Sequence, residues 1–184
     1  MKKIVLTWWT YTWKTTLLKE FKKQGFICLD EVAQNNMKLL SSILKDKYLY
    51  WRKENFLEFQ KMNIFDDLKR YLSVLKNENI IFFDRWVFDW VASLKRENIE
   101  IPDYIDKLFS NISYDIAFVI EPLKEHKTRE YTWRVLNKEM SVKWAKYIEN
   151  EYKDRWVKVI KVDTFSDNKE ESIKKRVQFI LNNI

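Results

Sequence analysis

A three-layer α/β fold, a five-stranded parallel sheet with helices on both faces, is what this sequence predicts. Three observations predict it. Five short apolar runs alternate with longer stretches of helical periodicity, the pattern of strands joined by helical crossovers. The third run, Ile80 to Phe83, is apolar at every position, as in a strand buried on both faces of a parallel sheet. Polar residues then follow four of the runs: Lys14-Thr15, Asp30-Glu31, Asp84-Arg85 and Glu121. Parallel sheets bind ligands beyond the carboxyl ends of their strands, so these residues mark a site.

Taken in order, Lys2 to Thr7 is the first strand, and Lys14-Thr15-Thr16 opens an amphipathic helix through Lys23. Gly25 is placed to end that helix with a positive φ. Phe26 to Leu29 is the second strand. One helix is expected from Val32 to Lys45 and a longer one from Lys53 to Lys76. In the longer one Phe56, Phe59, Ile64, Leu68, Leu72 and Leu75 recur every three or four residues to make an apolar face. After the third strand, helices are expected from Phe88 to Arg96 and from Pro102 to Phe109, and Asp115 to Ile120 is the fourth strand. Glu121 to Trp133 is charged and lacks periodicity, which reads as a loop. A helix from Leu136 to Lys153, a strand from Val157 to Val162 and a helix from Ser166-Asp167 to Leu181 complete the chain. Strands alternating with helices imply a parallel sheet joined by right-handed crossovers.

At 184 residues the chain reads as a single domain, 1–184, with a lid-like segment near 121–134. No apolar run approaches the ~20 residues of a membrane span. A strand begins at once, so no signal-peptide pattern is present. Cys28 is the only cysteine, which excludes an internal disulfide and fits a reducing compartment. These features together give a cytoplasmic expectation with no membrane partner. The net charge of +7 arises from Lys and Arg scattered among acidic residues rather than from a dense basic block. That scatter argues against a nucleic-acid partner.

Composition departs from the ordinary in one respect. Usage of about 7% would give roughly 13 glycines, yet Gly25 stands alone while tryptophan occurs nine times. Trp133 and Trp156 lie at junctions, the second between a helix and a strand where a left-handed cap is usual. Most tryptophans are therefore expected to occupy positions that call for glycine.

The first sixteen residues bear the chemistry. A strand, a six-residue connection and a helix beginning Lys-Thr is the setting of the phosphate loop written G-x-x-x-x-G-K-[ST]. Here Trp8 and Trp13 hold the glycine positions. Trp8, Trp9, Thr10, Tyr11, Thr12, Trp13, Lys14, Thr15 and Thr16 are the expected nucleotide-binding residues. Backbone N–H groups and the helix N-terminus would cradle phosphate. Lys14 would neutralise the β- and γ-phosphates, and the Thr15 hydroxyl would bind Mg²⁺. The alternative is a plain helix start with Thr as its cap.

Asp84 suits a carboxylate that holds Mg²⁺, and Arg85 suits a bidentate grip on phosphate or carboxylate. Glu31, Arg85 and Asp89 are the expected acceptor-side residues. For Asp89, a helix cap is an equal alternative; for Glu31, a solvated helix start is. Lys124, Lys127, Arg129 and Arg134 lie on the lid-like segment, where Arg129 and Arg134 are expected to close over the transferring group. No Cys/His cluster suggests zinc, and no Ser-His-Asp grouping is readable.

On these residues the chain resembles P-loop nucleotide-kinase-like proteins, specifically the AAA ATPase group similar to the NadR kinase domain. The resemblance rests on Lys14-Thr15-Thr16, on Asp30-Glu31-Val32-Ala33, on the run from Phe82 to Asp89 and on the closing segments from Val157 and from Arg176. Family members carry glycine at the positions of Trp8, Trp9, Trp13 and Trp86. The resemblance implies ATP and Mg²⁺ as cofactors, with phosphoryl transfer to an unidentified small-molecule acceptor, or hydrolysis. It also implies metal and substrate roles for Asp84 and Arg85, and a lid over Lys124 to Arg134. Two other readings stay open: a catalytically inactive interaction module that keeps the fold, and an aromatic, basic single-strand binder. A bulky residue at positive φ is strained, and an indole at 13 is expected to crowd the anion site and weaken ATP binding.

Overall fold

The described residues of the computed structural model are 1–7, 13–74, 80–121 and 138–184. Five parallel strands form one sheet: β1 (Lys2–Thr7), β2 (Ile27–Leu29), β3 (Ile80–Asp84), β4 (Ile116–Ile120) and β5 (Lys158–Val162). Their spatial order is β2-β3-β1-β4-β5. The eight helices among the described residues are α1 (Lys14–Lys23), α2 (Ala33–Leu44), α3 (Tyr48–Glu54), α4 (Phe56–Val74), α5 (Val87–Arg96), α6 (Asp103–Phe109), α7 (Lys138–Asp154) and α8 (Lys169–Leu181). The expected α/β class, the five parallel strands and the helical crossovers are all present.

One expectation is revised. The single long helix expected from Lys53 is divided at Asn55, with a further helix, α3, before it. Asn55 has φ −115° and ψ 42°, outside the helical region, and its amide Nδ2 donates back to the Trp51 carbonyl at 2.9 Å. Asparagine competes with helical hydrogen bonding in this way, and periodicity cannot register a one-residue break.

Strand alternation divides the core. Ile4, Leu6, Phe82 and Phe118 face α1 and α8, where Leu17, Phe21, Ile173 and Val177 cover them. Phe21 and Phe82 stack at 4.2 Å between ring centres. Val5, Ile81 and Phe83 face the opposite layer with Ile64 of α4, Val87 and Val91 of α5 and Ile148 of α7. The sheet is thus buried on both sides.

Three helices end in the same hydrogen-bond pair. At the end of α1, Gly25 N–H donates to Lys22 and Phe26 N–H to Phe21, both at 3.1 Å. At the end of α5, Asn98 N–H donates to Lys95 and Ile99 N–H to Leu94. At the end of α7, Trp156 N–H donates to Lys153 and Val157 N–H to Tyr152. This is the Schellman cap, which puts its pivot residue in the left-handed region. The pivots have φ 89° at Gly25, 54° at Asn98 and 61° at Trp156. Glycine and asparagine suit the position; tryptophan does not. Trp13, before α1, has φ 62° as well. Among the described residues, two of the six tryptophans therefore occupy backbone that favours glycine. Trp86 differs: its φ of −163° is extended backbone open to any residue, and its indole is fully buried.

Candidate functional site

The site lies where the order of the sheet reverses, at the carboxyl ends of β1 and β3. Leu6 pairs with Asp84 in register, so the β1 end and the last residue of β3 are side by side. The Arg85 N–H donates to the Leu6 carbonyl at 3.0 Å, extending the pairing by one bond. Arg85 itself has φ 55°. A non-glycine residue in this conformation is strained, and such strain gathers at functional sites. The turn swings its side chain toward β2, where Arg85 Nη1 lies 3.4 Å from Glu31 Oε1. Both residues are buried.

Lys14 opens α1 and is buried, with Thr15 exposed and Thr16 half-buried in the same turn. Asp84 is 4% exposed, and its Oδ1 is buried without a hydrogen-bond partner among the described residues. Four charged side chains from three separate stretches of sequence, Lys14, Glu31, Asp84 and Arg85, thus share one buried region. Lys14 and Asp84 each sense the other three. Burial, then the Arg85 charge, lowers the Lys14 ammonium to about 7 against the pull of Asp84 and Glu31. Burial, with the like charge of Glu31, raises the Asp84 carboxyl to about 6 against Lys14 and Arg85. Such opposed shifts mark groups kept out of water near their own counter-charges.

Asp89 sits beneath this region rather than open to it. It is 3% exposed, and three donors fix its carboxylate. Its Oδ1 accepts from the Thr7 hydroxyl. Its Oδ2 accepts from Tyr152 Oη at 2.7 Å and from the Trp86 N–H at 3.2 Å. Burial raises its carboxyl, and the Thr7 hydrogen bond opposes the rise. Asp89 thereby ties the end of β1 and the turn after Arg85 to α7. Thr7 and Tyr152 were not legible in the sequence as site-supporting residues. Tyr152 is one polar residue in an ordinary helical pattern, and only packing of α7 on α5 brings it to Asp89.

Trp13 is half-buried, and Lys169 Nζ at the start of α8 lies 3.6 Å from its ring centre. Trp8, Trp9, Thr10, Tyr11 and Thr12 lie outside the described residues, as do Arg129, Arg134 and the lid-like segment after Glu121. Among the described residues no group of three or more His, Cys, Asp or Glu is placed to hold a metal ion. Mg²⁺ needs no such group, since it uses one or two carboxylates and takes its remaining ligands from phosphate and water. The orphaned Asp84 oxygen beside the first turn of α1 fits that donor set. Among the described residues no helix is long and apolar enough to cross a membrane.

The comparisons with known proteins agree with this architecture. Deoxyadenosine kinase from M. mycoides, in a structure with dCMP and a flexible dCDP bound, superposes with a TM-score of 0.65 at 20% identity, covering 98% of this chain and 97% of that one. Thymidylate kinase from Ehrlichia chaffeensis gives a TM-score of 0.66 at 14% identity, over 99% of this chain and 97% of that one. NadR protein in complex with NR gives 0.69 at 14% identity, over 98% of this chain and 51% of that one. At these identities the likeness is one of fold, that of P-loop nucleotide kinases. No curated protein sequence matches the chain. The AAA domain family model matches residues 12–169, most of the chain, and the protein belongs to that family.

Proposed function

We propose that the chain derives from, and retains the frame of, an ATP-dependent enzyme that transfers a phosphoryl group to a small acceptor or to water. The observation that supports it most is the buried grouping of Lys14, Asp84, Arg85 and Glu31 at the carboxyl ends of β1 to β3. In this reading the N-terminus of α1 and Lys14 take the phosphates of ATP. Thr15 and Asp84 hold Mg²⁺, which when bound neutralises charge on the phosphate oxygens. Arg85 and Glu31 face the acceptor: the guanidinium grips an anionic or hydroxyl group, and the carboxylate accepts its proton. Asp89 keeps the Arg85 turn in place. Arg129 and Arg134 are assigned to closure over the site on the resemblance alone. A single domain, in the cytoplasm, is the accompanying assignment.

One observation favours the competing reading of an inactive interaction module. Trp13 is a left-handed, non-glycine residue directly before Lys14. Titration of ATP with Mg²⁺ into this chain and into a Trp8, Trp9, Trp13→Gly version decides between them. The expected result is weak binding by the first and clear binding by the second. Equal, tight binding by both defeats the steric argument; absence of binding by both defeats the nucleotide reading.

A further inference from the structure

Arg176 is fully buried in α8, an unusual place for an arginine. Three acceptors surround its guanidinium. Nε donates to the Asp163 carbonyl at 3.0 Å. Nη2 donates to the Glu121 carbonyl at 2.7 Å and to Thr164 Oγ1 at 3.0 Å. Glu121 is the first residue after β4, and Asp163 and Thr164 are the first two after β5. The Glu121 N–H also donates to Val162 at 2.9 Å. One side chain thus fastens the carboxyl ends of both strands to α8.

These ends lie on the side of β1 away from Glu31 and Arg85. β4 pairs with β1, with Thr7 opposite Val119. α8 packs on α1, and Lys169 meets Trp13. The loop from Asp163 to Asn168 is internally ordered: Ser166 Oγ accepts from the Asn168 N–H and donates to Glu171, and Asn168 Oδ1 caps α8 by accepting from the Glu171 N–H at 3.0 Å. With the acceptor groups on the β2–β3 side, the part of a donor nucleotide beyond its phosphates has the β4–β5 side to occupy. That wall is the one Arg176 holds.

Resting on the phosphate-loop reading above, we propose that Arg176 is a positioning residue for the donor nucleoside: it fixes the wall formed by Glu121 and by residues 163–168, and touches neither phosphate nor acceptor. Its planar fork serves three fixed acceptors at once, so lysine is not an equivalent. Loss of the fork leaves two backbone carbonyls without their donor and frees both strand ends to move.

The test compares two probes, ATP and inorganic tripolyphosphate, by calorimetric titration of the full chain in its Trp8, Trp9, Trp13→Gly version, with and without Arg176→Met. Tripolyphosphate reads the phosphate loop alone; ATP also reads the wall. The expected result is loss of ATP affinity by about tenfold, the scale of one well-made hydrogen bond, with tripolyphosphate affinity unchanged. Thr164→Val removes one acceptor and leaves the guanidinium in place, so it gives a smaller loss of the same kind even where Arg176→Met fails to fold. Equal losses for both probes, or no loss for either in a folded variant, overturn the proposal. Failure of the parent to bind tripolyphosphate overturns the phosphate-loop reading itself and the proposal with it.

Discussion

Replacing Trp156 by glycine removes an indole that is 95% exposed, so almost no packing is lost. What changes is the backbone. Trp156 is the pivot of the cap that ends α7, at φ 61°, with two hydrogen bonds that glycine keeps, Trp156 N–H to Lys153 at 2.9 Å and Val157 N–H to Tyr152 at 3.0 Å. Left-handed backbone costs a residue with a Cβ roughly 1–2 kcal/mol. Glycine relieves that cost but adds unfolded-chain entropy of about 0.4–1 kcal/mol. The balance is a gain of about 0.5–1 kcal/mol, which in a domain of this size raises Tm by about 1–4 °C. Thermal and urea unfolding followed by far-ultraviolet circular dichroism measure it, since the substitution alters fluorescence. Trp156→Asn is expected between the two, because Asn98 fills the same pivot at the end of α5. A Trp156→Gly protein with unchanged or lower Tm and an unchanged m-value refutes the reasoning.

The same exchange reverses sign at Trp86. There φ is extended and the ring is fully buried against Phe83, at 4.4 Å between ring centres, so Trp86→Gly opens a cavity of the kind that costs about 3–5 kcal/mol. The indole Nε1 is buried without a hydrogen bond among the described residues, and its removal returns about 1–3 kcal/mol. Net destabilisation by urea unfolding is expected, and a more stable variant refutes it. Binding of Mg²⁺ and ATP is also expected to depend on pH. The Lys14 ammonium titrates at about 7 in the free protein, and a bound polyanion favours its charged form. Binding therefore takes up a proton, and affinity falls as pH rises above 7, by up to about tenfold per unit. The Asp84 carboxyl titrates at about 6, and a bound cation favours its ionised form, so the metal-dependent part weakens as pH falls below 6. Titrations from pH 5 to 9 test for a maximum between these values; a flat profile refutes both arguments.

How far the sequence reached can be seen at particular residues. Apolar runs and helical periods determined the α/β class, because burial on both sheet faces requires continuous apolar strands and covering helices one-sided ones. Lys14, Asp84, Arg85 and Glu31 were legible as a site because Asp84, Arg85 and Glu31 lie at or just past strand ends and Lys14 opens the helix that follows one, and in a parallel sheet all strand ends on one side converge. The glycine deficit was legible too, but not which tryptophans it strains. That is decided by φ at each position: Trp13 and Trp156 are left-handed and Trp86 is extended. The break at Asn55 escaped periodicity because one residue outside the helical region leaves the apolar spacing almost unchanged. The supports for Asp89 from Thr7 and Tyr152, and the grip of Arg176 on the end of β4, join residues 55 to 82 positions apart. Local pattern contains no trace of such pairs. They exist only because α7 and α8 pack where the twisted sheet puts them, so the sequence by itself determined the fold and the strand-end site, and the tertiary structure decided which buried polar groups hold that site in shape.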